Sequence, residues 1–122
     1  MKKPSKKTLT NKLDKICSVI VRSRGVCDKC GSVEFERLQC AHIYSRKFRS
    51  VRWDFDNLLC LCAGCHFIGH QKPLEFAEFV KRHLGQVKYA ALKIRANNIR
   101  KWTVDEMQFY YDSLTHAPVE GG

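Results

Sequence analysis

Two pairs of cysteines restrict this chain more than any other feature. Cys27 and Cys30 form the first pair and Cys62 and Cys65 the second, with 31 residues between the pairs. A C-x-x-C turn aims two thiolates at one point, and two such turns complete a tetrahedral zinc site. Any fold available to the chain therefore has to bring residues 27–30 against residues 62–65. The cysteine total of seven is odd, and the N-terminal lysines are followed by no apolar segment of the signal-peptide kind. Metal binding thus explains the pairs better than disulfides do. Cys17, Cys40 and Cys60 are expected as buried apolar filler, although Cys60 and Cys62 could exchange roles. In a chain of 122 residues the core is modest, and a closed zinc site can supply much of its folding free energy.

Around these pairs the pattern is that of a small α+β domain. Residues 1–9 read as a flexible basic tail. In "TNKLDKICSVIVRSRG" the spacing of Leu13, Ile16, Cys17 and Ile20 predicts a helix that Thr10 caps and Gly25 ends. "VEFERLQCAHI" has strand character, and the apolar run "LLCLC" suits a short buried strand. "AGCHFIGH" predicts a helix opening beside the second cysteine pair. Pro73 fits a first helical turn, ahead of an apolar stripe at Leu74, Ala77, Phe79, Val80 and Leu84 that Gly85 closes. Another helix is expected over "QVKYAALKIRANN", and Thr103 with Glu106 forms a capping box for a last one. Residues 10–85 would make the main domain, 86–116 a helical extension packed on it, and 117–122 a disordered end.

Charge is concentrated rather than spread. The formal net charge is +10, and residues 1–15 hold six lysines against Asp14 alone. A second excess lies inside the cysteine-rich segment, at Arg46, Lys47, Arg49, Arg52 and Lys72 against Asp54 and Asp56. Clusters of this kind meet phosphate, with counterion release as the driving term. Arg46, Lys47, Arg49 and Arg52 are the candidate DNA contacts, and Lys2, Lys3, Lys6 and Lys7 could track the backbone as an arm. An internal Arg52–Asp54 ion pair is the alternative for Arg52. Trp53, Phe55 and Tyr44 could stack on bases, but core packing is the better expectation. No apolar run is long enough to cross a membrane, so a soluble, cytoplasmic protein with no membrane partner is expected.

Zinc saturated by four cysteines leaves His42, His66 and His70 unexplained. His66 and His70 are four apart, so on a helix they share a face and can grip a second cation. Gly69 between them weakens that helix. His42 precedes Asn57 by 15 positions, and Asn57 precedes His66 by nine, which gives H-x14-N-x8-H.

That spacing, bracketed by the cysteine pairs and followed through "RWDFDNLLCLCAGCH", resembles the HNH nucleases. "KLDKICSVIVRSRGVCDKCG" and "LQCAH" are similar to the phage NinG (Rap) recombination group and to small phage HNH proteins, over roughly residues 11–85. The resemblance implies a zinc-stapled ββα-metal core, two strands and a helix around a divalent cation, in a phage- or bacterium-encoded protein. It implies His42 as the general base, Asn57 as the residue that orients it, and His66 with His70 as ligands of the catalytic metal. The implied reaction is hydrolysis of DNA phosphodiester bonds, duplex or branched and including recombination intermediates, to 5′-phosphate and 3′-hydroxyl ends. A cutter of junctions nicks two strands, which makes a homodimer an expectation. Many relatives carry Asp or His just before the base as a third metal ligand, where this chain has Ala41. Two imidazoles suit manganese, nickel or cobalt better than magnesium. The competing readings are a zinc-stapled DNA-binding module without catalysis, and a structural zinc domain that contacts another protein.

Overall fold

The computed structural model describes residues 3–116, so the expected disordered end at 117–122 and Lys2 lie outside the described residues. The first helix, α1, runs Lys6–Arg22. Ser5 caps it, with its Oγ accepting from the Thr8 amide at 3.1 Å. Leu9, Leu13, Cys17 and Val21, each four positions from the last, form its buried line. The expected basic tail is therefore shorter than residues 1–9, because Ser5 supplies the cap and Leu9 a fully buried anchor. Thr10 lies inside the helix rather than at its start. The helix stops at Arg22, and Gly25 takes a positive φ of 76° in the turn that follows.

Two short strands come next, β1 (Leu38–His42) and β2 (Leu58–Cys62). They pair antiparallel, with Leu38 opposite Cys62, Cys40 opposite Cys60 and His42 opposite Leu58. The expected strand over residues 33–43 is thus cut back to its second half, since Phe35–Arg37 winds into a 3₁₀ turn. β2 follows the "LLCLC" run. It is apolar at every position because both faces of the hairpin are covered, one by α1 and the other by α2 (Ala63–Gln71).

Pro73 opens α3 (Pro73–Leu84), and Gly85, with φ of 81°, separates it from α4 (Gln86–Asn97). Within α3 the buried residues are Phe79 and Val80, whereas Leu74 points outward and is 81% exposed. The Thr103–Glu106 capping box forms at the start of α5 (Val104–Thr115), which packs on α1. Cys17, Cys60 and Trp53 belong to the main core, with Phe55 packed against it. A smaller cluster of Val51, Leu92 and Ala96 holds α4, with Tyr44 beside it.

The β1–β2 loop carries no regular structure over most of its length, yet it is held from three directions. From α1, the Asp14 carboxylate accepts from Arg52 Nε (3.0 Å), Arg52 Nη2 (2.7 Å) and Trp53 Nε1 (2.8 Å). From α4, Arg95 pairs with Asp54 at 2.7 Å and Asp56 at 3.2 Å. From the C-terminal side, Trp102 Nε1 donates to the Arg49 carbonyl and the Tyr110 hydroxyl to the Trp53 carbonyl. The internal partner of Arg52 is therefore Asp14, and Asp54 is taken by Arg95.

Burial alone would raise the Asp14 carboxyl, but the hydrogen bonds from Arg52 and Trp53 outweigh it and hold the group below its ordinary 3.8. A depressed carboxylate contributes stability above its ordinary value and loses it as the pH falls through the folded one. Asp14→Asn should lower unfolding free energy by about 1–3 kcal/mol at neutral pH. Denaturant melts across a pH series should show this difference shrinking below pH 3.8; a difference that persists unchanged in acid would contradict it.

Candidate functional site

The hairpin has a chemically different end on each side. At the end where β2 finishes, the sulfurs of Cys27, Cys30, Cys62 and Cys65 all lie within 4.8 Å of one another. The Cys30 and Cys62 sulfurs are 3.7 Å apart. A tetrahedral ion with bonds of about 2.3 Å sets its sulfurs roughly 3.8 Å apart, so four cysteines this close can hold a zinc ion. The knuckle is tied to β2 by a reciprocal pair of bonds. The Asp28 amide donates to the Cys60 carbonyl at 2.7 Å, and the Cys60 amide donates to Asp28 Oδ2 at 2.9 Å. Cys62 also caps α2, accepting from the Cys65 amide. Cys62, not Cys60, is thereby the ligand candidate of β2, while Cys60 is fully buried.

The four thiols are in electrostatic conflict. Burial opposes a Cys27 thiolate, but backbone N–H groups of Cys30, Cys62 and Lys29 outweigh it and bring the group to about 7. Burial and hydrogen bonding to the other three sulfurs push Cys65 up to about 12. A bound cation relieves that conflict, because it favours all four as thiolates. By contrast, burial and then the neighbouring Cys40 push Cys17 up to about 12, as suits an inert core thiol.

At the opposite end His42 closes β1. α2, capped by Cys62, carries His66 and His70 alongside the hairpin, with His66 over Gln39. Their rings are 5.0 Å apart between centroids. With His42, Ala41 and Arg46 they line a cavity of about 430 Å³. Gly69 has a positive role here. A Cβ on it would come within 2.9 Å of the Phe76 ring of α3, so the close approach of α2 and α3 needs glycine between the two histidines. Among the described residues, the four cysteines are the only group of three or more His, Cys, Asp or Glu close enough to share one ion. His66 and His70 offer two ligands and no third.

Hydrogen bonds fix which ring nitrogen is free in His42 and in His66. The Arg52 carbonyl can only accept, so at 3.1 Å it takes the Nε2–H of His42 and leaves Nδ1 with its lone pair. Burial is the main cause that lowers the His42 pKa below the ordinary 6.5; the Arg52 carbonyl works against it and the Arg46 charge with it. Gln39 Oε1 likewise accepts from His66 Nδ1 at 2.7 Å, which frees Nε2. Burial and His70 keep His66 low as well. Gln39 is the site residue that sequence reasoning missed. Strand alternation sets Gln39 and Ala41 on the same face, so Ala41, 2% exposed, lies on the α2 side where a further ligand would point.

Asn57 is fully buried, and its side chain makes no hydrogen bond to the His42 ring among the described residues. Its Oδ1 accepts from the Tyr44 amide at 2.7 Å, and its Nδ2 donates to the carbonyls of Tyr44 (3.0 Å) and Val51 (3.1 Å). It ties the two ends of the loop whose Arg52 carbonyl holds His42. Of the candidate DNA contacts, Arg46 and Lys47 are exposed. Arg49 is half-buried and bonded to Thr10, and Arg52 is spent on Asp14.

A larger cavity of about 640 Å³ lies between Trp53, Trp102 and Tyr110, away from all three histidines. No family model matches the chain, and no curated protein or solved structure matches it.

Removing Asn57 strands the Tyr44 N–H and carbonyl inside a closed loop, and leaves the Val51 carbonyl with the Asp54 amide as its remaining donor. Asn57→Ala should cost about 2–4 kcal/mol, and Asn57→Asp, which cannot donate, should cost nearly as much. Chemical denaturation checks both; wild-type stability in either variant would contradict this role.

Proposed function

We propose that the chain is a metal-dependent endonuclease that hydrolyses DNA phosphodiester bonds, with the four-cysteine cluster holding a structural zinc ion. The observation that carries the reading is the convergence of His42, His66, His70 and Arg46 on one cavity, with Nδ1 of His42 left free. A module that only binds DNA has no need of a half-buried, anchored imidazole there.

Phosphodiester hydrolysis needs a base to take a proton from water, positive charge on the phosphate, and help for the departing oxygen. His42 is suited to the first task, because its Nε2–H is anchored and its Nδ1 stays unprotonated near neutral pH. The Arg52 carbonyl favours the imidazolium as it forms, since Nε2–H becomes a stronger donor once Nδ1 takes a proton. Asn57 is a positioning residue that acts through the loop. Arg46 borders the cavity and can pair with a non-bridging phosphate oxygen. His66, through its free Nε2, and His70 would hold a divalent cation, with Gln39 steadying His66 from behind. When bound, that cation supplies Lewis-acid stabilisation of phosphate charge. Ala41 leaves this site one protein ligand short of many HNH enzymes, and two imidazoles favour manganese, nickel or cobalt over magnesium. Duplex and branched DNA are both candidate substrates, and a second copy of the chain would allow paired nicks.

Supercoiled plasmid incubated with manganese should be nicked by wild type, more slowly with magnesium, and at least about 100-fold more slowly by His42→Ala. Equal rates for wild type and His42→Ala would remove the proposed base, and DNA binding without cleavage by wild type would favour a zinc-stapled binding module. The base works unprotonated, so the wild-type rate should hold as the pH falls through 6.5 and decline only below it. Arg46→Ala removes a charge that disfavours the imidazolium, so it should move that decline to higher pH.

A further inference from the structure

Away from the histidines, two cavities of about 520 and 470 Å³ share Arg49, Arg100 and Lys101 in their walls. Lys6 and Lys7 complete the first and Lys47 the second, and no Asp or Glu lines either one. Three separate segments supply these six cations: the start of α1, the β1–β2 loop and the stretch ahead of α5.

Their arrangement runs against the self-energy of the fold. The first turn of α1 carries Lys6 and Lys7 and no acid, the reverse of what a helix dipole favours. None of Lys6, Lys7, Lys47 and Lys101 lies within 4.0 Å of a carboxylate among the described residues. An anion from outside the chain removes that imbalance.

The two arginines are ordered beforehand. Arg49 donates to Thr10 Oγ1 at 3.2 Å and lies 5.4 Å from the Trp53 ring centroid. The Arg100 guanidinium sits 3.6 Å over Trp102 and has Glu106 as a neighbour at 3.6 Å. Side chains held in this way lose less entropy when they meet a phosphate. The track also connects with the histidine cavity, because Arg46 lines that cavity and the next residue, Lys47, lines the second basic one.

We propose that Lys6, Lys7, Lys47, Arg49, Arg100 and Lys101 form a phosphate-binding track that holds the backbone of duplex DNA beside the histidine cavity. The proposal rests on the nuclease reading for its purpose and not for its test. Concave walls that begin one residue from that cavity, at Lys47 beside Arg46, fit a strand backbone better than a flat anionic bilayer. Contacts of this kind fix position and carry no sequence preference.

The test compares wild type with Lys6→Ala/Lys7→Ala/Lys101→Ala, three exposed positions. A fluorescent DNA duplex is titrated by anisotropy at several salt concentrations, without added divalent cation so that nothing is cut. The triple variant should bind roughly 10-fold or more weakly, with a log K against log salt slope shallower by about 2–3. The matching triple arginine variant should keep wild-type affinity, which separates charge from folding. Nothing is cut under these conditions, so a failed nuclease reading leaves this result readable. Unchanged affinity and slope in the triple alanine variant would overturn the track. So would loss of binding by the arginine variant, or an effect confined to vesicles containing phosphatidylglycerol.

Discussion

Arg52 joins the architecture to the chemistry. Its guanidinium is clamped by Asp14 of α1 in a two-pronged pair, and its carbonyl oxygen takes the Nε2–H of His42. One residue thus transmits the position of the longest helix to the ring proposed as the base. The pair is mostly shielded from water and shared with Trp53, so it is stronger and less salt-sensitive than a surface ion pair. Asn57 performs the complementary task from within, closing the loop on itself through three buried hydrogen bonds. A loop with no regular structure can carry a precise geometry only when its backbone groups are paired in some such way.

The hairpin sets the four-cysteine cluster apart from His42, one at each end of the strand pair. At one end, four sulfurs gather and the knuckle is laced to β2 through Asp28. At the other, His42 closes β1. α2 connects the two, since Cys62 is at once a strand end, a helix cap and a member of the sulfur cluster, and the same helix carries His66 and His70 into the cavity that His42 lines. A zinc ion at the cysteines would therefore set the direction of the helix that carries the histidines. Each site keeps its own donors: sulfur closed on all sides, and imidazole left open. That division is the one expected between a structural and a catalytic ion.

Much of this was legible because it depends on local spacing. The cysteine pairs, the apolar run of β2, Pro73, Gly85 and the Thr103–Glu106 box each act within a few residues, so the pattern and the physics coincide. The H-x14-N-x8-H spacing nominated His42, Asn57 and His66, and the four-residue step from His66 added His70; the three histidines line one cavity. What the sequence hid depends on contacts between distant segments. Nothing in "KLDKIC" says that Asp14 will claim Arg52, some 38 residues away, in place of the nearby Asp54. Gln39 looks like an ordinary exposed strand residue until α2 brings His66 over it. Ser5 was concealed by the lysines around it, and Gly69 read as a weakness until Phe76 showed what its missing side chain makes room for.

The central claim is that this chain holds two metal sites with separate ligands and separate roles. It is tested most directly by counting zinc in purified protein and titrating manganese into the same sample by calorimetry, for wild type and for His66→Ala/His70→Ala. The account predicts one zinc per chain in both proteins, and a manganese-binding event in wild type that the double variant lacks. Loss of zinc from the double variant, or manganese binding that survives it, would contradict the account.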